Sequence, residues 1–275
     1  MAKAKRVIRE CLPEVDIVIE ILDARIPQSS RNPDLGRIIG AKPLITLLNK
    51  SSLADPEITP QWVEKLSGAG HGCVITDCIT GDGMNAVMPA IHRVLAEKIE
   101  RYESRGMTGR ALRAMMVGIP NSGKSSLINK LAKAKKAKVE DRPGVTQQKQ
   151  WFPTSIGLNL LDMPGVLWPK FDDRNVAENL ALTGAIRDAV LDTEELGVIL
   201  CARLRKTYPK NLAERYKLTL EEVCGEFTDF ELFELIGRKR GFLVSGGEIN
   251  TERTAAILLD EFRGGKIGRI SLDLC

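Results

Sequence analysis

Gly118-Ile-Pro-Asn-Ser-Gly-Lys-Ser125 matches the pattern G-x-x-x-x-G-K-[ST], and it falls in the middle of a 275-residue chain. Backbone N–H groups of such a loop, opening onto a helix N-terminus, cradle nucleotide phosphates. The Lys124 ammonium then reaches the outer phosphates, and the Ser125 hydroxyl is a ligand for Mg²⁺. Asn121, Ser122, Gly123, Lys124, Ser125 and Ser126 are therefore candidate nucleotide-binding residues. Ala114-Met-Met-Val117 ahead of the loop reads as a buried strand, and Ser125 to Ala132 after it has helical apolar spacing. The rival reading, a chance Gly-rich turn, gives no account of that strand-loop-helix frame.

Downstream, Asn159-Leu-Leu-Asp162-Met-Pro-Gly165 is an apolar strand ending in Asp-x-x-Gly. An Asp at the end of the adjacent strand supports Mg²⁺ through water, and a Gly backbone N–H meets the terminal phosphate. Asp162 and Gly165 are the candidates for these roles. Between the two motifs, Asp141-Arg-Pro-Gly-Val-Thr146 is rich in turn formers and leads into a β-like run, Gln147 to Phe152. Thr146 is the candidate second hydroxyl ligand of the metal, organised only when a terminal phosphate is present. Either piece alone is a common turn. Their order and spacing after a phosphate loop carry the weight.

The base must also be read, and nothing after Gly165 resembles an Asn-Lys-x-Asp element. Upstream, Leu44-Ile-Thr-Leu-Leu-Asn49-Lys50 is an apolar strand ending in Asn-Lys, followed by Ser51 and Ser52. A further strand, Cys73 to Cys78, runs through Asp77 into Ile79-Thr-Gly-Asp-Gly83, matching the last base-contacting loop. Base readers come first and phosphate binders second. The strands of a doubly wound sheet can be joined in a different order without moving the pocket they build. The expected fold class is thus α/β: a circularly permuted phosphate-loop domain, mostly parallel sheet with helices on both faces, then a small all-α domain. The expected boundary is 1–172 against 173–275. After Asp172, Val176 to Leu191, Glu194 to Lys206, Phe230 to Lys239 and Thr251 to Arg263 have helical periodicity, with Pro209 and Gly241 as punctuation. Four helices suffice for a bundle.

Composition excludes more than it proves. No run approaches the length of a membrane span, and the N-terminus carries no signal-peptide core, so a cytoplasmic protein that does not engage membrane is expected. Six cysteines without C-x-x-C spacing and only two histidines argue against a zinc site or a disulfide framework. A net charge of +4 is too mild to establish nucleic-acid binding, although basic clusters lie at Lys130 to Lys138 and Arg238-Lys-Arg240.

The chain resembles the circularly permuted GTPases of ribosome assembly, the bacterial YlqF/RbgA type that acts on the large subunit. The resemblance covers nearly the whole chain. Beyond the nucleotide motifs it rests on Asp23-Ala-Arg-Ile-Pro-Gln-Ser-Ser-Arg-Asn-Pro33, Arg142-Pro-Gly-Val-Thr146, Asp162-Met-Pro-Gly-Val-Leu-Trp-Pro-Lys170, Leu182-Thr-Gly-Ala185 and Gly241-Phe-Leu-Val-Ser-Gly-Gly247. It implies a monomeric GTP hydrolase, slow unless stimulated, that binds a large-subunit precursor in the GTP state and leaves after hydrolysis. It further implies GTP/GDP and Mg²⁺ as ligands, Lys124, Thr146 and Gly165 as the groups acting on the terminal phosphate, and a C-terminal helical domain that touches RNA or a ribosomal surface. The alternative from another class is a non-catalytic, nucleotide-gated RNA-binding module. An ATP-dependent kinase using the same loop leaves the upstream Asn-Lys strand without a role.

Three departures from the family pattern stand out. The base-reading motif is Asn49-Lys50-Ser51-Ser52, where the family has Asp at the fourth place. Losing that charge-assisted contact to guanine would cost on the order of 1.5–3 kcal/mol, and a Ser52→Asp change is expected to restore it. Val166 follows Gly165, where other GTPases orient water with Gln. Family members use instead a His from a Gly-His pair just ahead of a Met-Ala-Lys-Ala stretch. This sequence begins at Met1-Ala-Lys-Ala4, and neither His71, in a Gly-rich turn, nor His92, in an amphipathic helix, replaces that group. Third, Asn121 occupies the position associated in related GTPases with K⁺, which places positive charge against the phosphates. A turn-stabilising amide is the equally weighted alternative.

Overall fold

The structure is a computed structural model that describes residues 2–68, 70–132, 150–163, 165, 173–186 and 192–275. The chain divides into two compact units, Met1–Asp172 and Asp173–Leu274. The first is built on six strands: β1 (Ile17–Asp23), β2 (Leu44–Asn49), β3 (His71–Ile75), β4 (Leu112–Gly118), β5 (Trp151–Pro153) and β6 (Leu158–Asp162). They lie in the order β3-β2-β1-β4-β6-β5. All neighbours are parallel except β5, which runs antiparallel to β6 at the sheet edge.

Helices α1 (Ala2–Cys11), α2 (Pro27–Ser30), α3 (Leu35–Ile39), α4 (Ile58–Leu66), α5 (Val87–Val94), α6 (Ala96–Glu103) and α7 (Lys124–Leu131) complete this unit. The period-2 alternation of β1 sorts its side chains between the two faces of the sheet. Ile17, Ile19 and Ile21 pack with Ile91 of α5 and Leu127, Ile128 and Leu131 of α7. Val18 faces Ile8 of α1 and Leu35 and Ile38 of α3, and Leu22 packs with Trp62 of α4. Every residue of β1 and β2 is buried, as a central parallel strand covered on both faces requires.

The second unit holds α8 (Arg174–Leu182), α9 (Thr193–Thr207), α10 (Pro209–Tyr216), α11 (Leu220–Cys224), α12 (Asp229–Lys239) and α13 (Thr251–Arg263). Leu200 and Leu204 of α9, Phe233 and Ile236 of α12 and Leu258 and Phe262 of α13 form its core. Two helices exceed the expected four among the described residues. Pro209 marks the break between α9 and α10 as expected, and it starts α10, where its missing N–H is one of the unbonded first-turn donors anyway. Capping boxes start both α11 and α12: Thr219 pairs with Glu222, and Thr228 with Glu231. Of the helix expected from Val176 to Leu191, the first part is α8, which ends at Leu182 before Gly184 turns the chain at a φ of 77°, and 187–191 lie outside the described residues.

Two smaller expectations are met in part. His71 closes the turn that begins at Gly68, its N–H donating to the Gly68 carbonyl at 3.0 Å, and is also the first residue of β3, paired with Leu44. Of the β-like run from Gln147 to Phe152, Trp151 and Phe152 open β5, and 147–149 lie outside the described residues. No helix among the described residues is long and apolar enough to cross a membrane.

Candidate nucleotide site

Parallel strands present their carboxyl ends on one edge of the sheet, and ligands of open α/β sheets bind outside that edge. The loops after β2, β3, β4 and β6 all leave from there. Ile21 stands beside Gly118, Asp23 beside Asn49, and Met116 beside Asp162 in the strand register. The upstream base-reading candidates and the downstream phosphate-binding candidates therefore share one edge, despite their reversed order in the chain.

Asn49 joins them directly. Its Nδ2 donates to the Ser122 carbonyl at 2.8 Å, and its Oδ1 accepts the Cys78 backbone N–H at 3.0 Å. One buried amide thus ties the loop after β2 to the phosphate loop and to the loop after β3. Both its donor and its acceptor capacity are used, which an apolar or charged side chain could not reproduce.

Lys50 sits in a left-handed conformation at φ 62°, and its Nζ donates to Asp23 Oδ2 at 2.9 Å. The same carboxylate grips Arg25 through Nε at 2.9 Å and Nη2 at 2.7 Å. Burial opposes the charge on Asp23, yet Arg25 and Lys50 outweigh it and hold its carboxyl far below the usual range. This explains Asp23-Ala-Arg25, a motif that the sequence displays without revealing its role: it anchors the ammonium of Lys50 at the base-reading loop. The signal was a buried-strand Asp two residues from an Arg.

Next to Lys50, Ser51 is buried and Ser52 exposed. The Ser52 backbone N–H and hydroxyl both donate to Asp77 Oδ2, at 3.1 and 2.6 Å. Asp77 Oδ1 accepts the N–H groups of Ile79 and Thr80, at 2.8 and 3.1 Å. Burial raises the Asp77 carboxyl, but these hydrogen bonds more than offset it and leave it below its ordinary value.

In the phosphate loop, Asn121 is exposed with φ 58°, Gly123 has φ 104°, and Ser125 and Ser126 lie in the first turn of α7. Lys124 is buried, and its Nζ donates to the carbonyls of Gly118 at 3.0 Å and Ile119 at 2.7 Å. Gly165 comes so close that a Cβ on it would stand 3.0 Å from Lys124 Nζ and 3.0 Å from the Pro120 nitrogen. Only a glycine lets this backbone lie against the loop. Asp162, at the end of β6, has a buried Oδ1 that accepts no hydrogen bond among the described residues, and burial raises its pKa. A buried, unpaired carboxylate oxygen is what a cation site provides, so Asp162 and Ser125 fit Mg²⁺. Thr146, the other metal candidate, and Val166 lie outside the described residues.

The family described as 50S ribosome-binding GTPase matches residues 113–223, starting at β4 and leaving the base-reading loops upstream of it. Ribosome biogenesis GTPase A of Priestia megaterium is 46% identical over 99% of this chain and 94% of its own length. Among solved structures, GDP-bound TM YlqF superposes with a TM-score of 0.67 at 28% identity, covering 98% of this chain and 99% of that one. GNP-bound YlqF from T. maritima gives 0.65 at 29% identity, covering 99% and 98%. A permuted order of base-reading and phosphate-binding loops, one amide joining them, and full-length similarity on this scale lead to one conclusion: the chain belongs to the ribosome biogenesis GTPase A family.

Proposed function

We propose that this protein hydrolyses GTP to GDP and phosphate as an assembly factor for the large ribosomal subunit, engaging a precursor particle in the GTP state and leaving after hydrolysis. The observation that carries the nucleotide reading is Asn49, which couples the base-reading loops to the phosphate loop through two hydrogen bonds. The loop amides from Asn121 to Ser126 hold the phosphates, and Lys124 exchanges its two loop carbonyls for the outer phosphate oxygens. Asn49, Lys50, Ser51, Ser52, Asp77 and Cys78 frame the base. Ser125, Thr146 and Asp162 hold Mg²⁺, which when bound draws charge from the phosphates. Asn121 is the residue offered to K⁺. Gly165 senses the terminal phosphate through its backbone N–H, and Thr146 closes with it.

The protein acts in the cytoplasm as a monomer, with residues 1–172 as the GTPase domain and 173–275 as the domain that meets RNA or ribosomal protein. Arg238 at the end of α12 supports that assignment by its charge, while Lys239 and Arg240 pair with Glu222 and Glu261. Sedimentation with purified large-subunit particles tests the proposal: co-pelleting should be stronger with a non-hydrolysable GTP analogue than with GDP, and particles should accelerate hydrolysis. Slow hydrolysis unchanged by particles, with equal co-pelleting in both states, would select the binding-module alternative.

A further inference from the structure

Ser52 replaces the carboxylate that the base-reading loop carries in related GTPases, yet a carboxylate is present in contact with it. Asp77 Oδ2 lies 2.6 Å from Ser52 Oγ, and the bond has one possible direction, because an ionised carboxylate only accepts. Ser52 therefore spends its single proton inward. Its backbone N–H is spent on the same oxygen at 3.1 Å. What the exposed hydroxyl has left for a ligand is lone pairs.

Asp77 itself is covered. It is 1% exposed, and both its oxygens are occupied by protein donors. It cannot meet a base directly without giving up one of these bonds. It can fix the hydroxyl above it and, as a charged acceptor, polarise the Ser52 oxygen. Beside them Ile79, whose N–H binds the same carboxylate, is 83% exposed, an apolar surface at the loop where a planar base would lie.

We propose that the Ser52–Asp77 couple is the guanine-discriminating element of this chain: an acceptor-only hydroxyl, locked by a buried carboxylate, replaces a carboxylate on the base-reading loop. The inference rests on the nucleotide reading of the site. Guanine offers N–H donors at N1 and at its 2-amino group, which lone pairs can accept. Adenine offers a bare N1, which meets those lone pairs without a proton between them. Asp77 acts through Ser52 and is a positioning residue. The couple also reverses the expectation for Ser52→Asp, since a second carboxylate within hydrogen-bond distance of Asp77 meets like-charge repulsion instead of completing a reader.

The test is the ratio of GDP to ADP affinity, measured by calorimetry on the full chain. The parent should favour GDP. Ser52→Ala should reduce the ratio about tenfold, the loss of one hydrogen bond, and Ser52→Thr, which keeps the hydroxyl, should restore it. Ser52→Asp should lower the ratio. Asp77→Asn should act in the same direction, and combining it with Ser52→Ala should lose no more than Ser52→Ala alone, the signature of one coupled element. A parental ratio in Ser52→Ala, or a raised ratio in Ser52→Asp, overturns the proposal. Ser52 is exposed, so its variants test the idea even if Asp77→Asn fails to fold. A parent that binds neither nucleotide refutes the underlying site reading; one that binds both equally refutes only the discrimination by Ser52 and Asp77.

Discussion

Gly123 and Asn49 approach so closely that a Cβ on Gly123 would stand 2.1 Å from Asn49 Nδ2. The phosphate loop can pass over the base-reading amide only because this residue has no side chain. Its φ of 104° adds a second reason, since L side chains seldom adopt that conformation.

Gly123→Ala should therefore push Asn49 off the Ser122 carbonyl and displace the loop amides together. Strain of about 1–3 kcal/mol plus the lost hydrogen bonds amounts to roughly a hundredfold weaker GDP binding. Calorimetry with GDP measures it. Parental affinity in this variant would mean that the loop amides do not hold the phosphates.

Lys124→Ala should abolish tight binding of a non-hydrolysable GTP analogue while GDP binding falls less. The ammonium already lies between the loop carbonyls and Gly165, so it needs only a small shift to meet a terminal phosphate. Comparing the two nucleotides in one titration series isolates that contact. Equal losses for both would place the Lys124 charge away from the terminal phosphate.

The permuted order, the sheet with helices on both faces and the separate helical segment were all legible, because long apolar strands and glycine-rich loops are local signals. Contacts between loops were not. Ser52 and Asp77 lie 25 positions apart, and a sequence shows only that one lacks a carboxylate and the other has one. Asp23 likewise looked like part of a motif, while its task, holding Lys50 from 27 residues away, needed the register of β1 against β2. Short helices such as α11 were missed because five residues are too few for periodicity to show.

In the helical unit, Glu261 is the shared acceptor of Arg215 (Nε at 2.9 Å), Tyr216 (hydroxyl at 2.8 Å) and Arg240 (Nη2 at 2.6 Å). Its burial works against the charge, but these donors prevail and lower its pKa. Glu261→Ala leaves the buried Tyr216 hydroxyl and two guanidinium groups without this acceptor. A loss of about 2–4 kcal/mol is expected, read as an earlier far-UV circular dichroism transition in denaturant. An unchanged transition would show the cluster to be a surface network of little weight.

Glu20 gives the opposite pH dependence. It sits in the middle of β1, 1% exposed, on the face that packs against α1 and α3, and burial pushes its carboxyl up to about 7, with Arg31 and Thr46 only partly compensating. Its Oε1 has no hydrogen-bond partner among the described residues. Between its unfolded value of 4.5 and about 7, the folded chain keeps a proton that the unfolded chain has released. Folding stability from this group is therefore fully present below pH 4.5 and is lost as pH rises towards 7, by about 3 kcal/mol at most. Glu20→Gln removes the ionisation and keeps the shape, so the variant should match the parent near pH 5 and exceed it by roughly 1–3 kcal/mol at pH 8. Trp62 and Trp151 belong to the first unit, so tryptophan fluorescence in urea reports on the unit that holds Glu20. The depressed carboxyls of Asp16, Asp23 and Asp77 tilt both proteins equally in the other direction, and the difference between variant and parent cancels them. An advantage for the variant that is the same at both pH values would mean that Glu20 is ionised in the folded chain throughout, held by Arg31 at 3.3 Å.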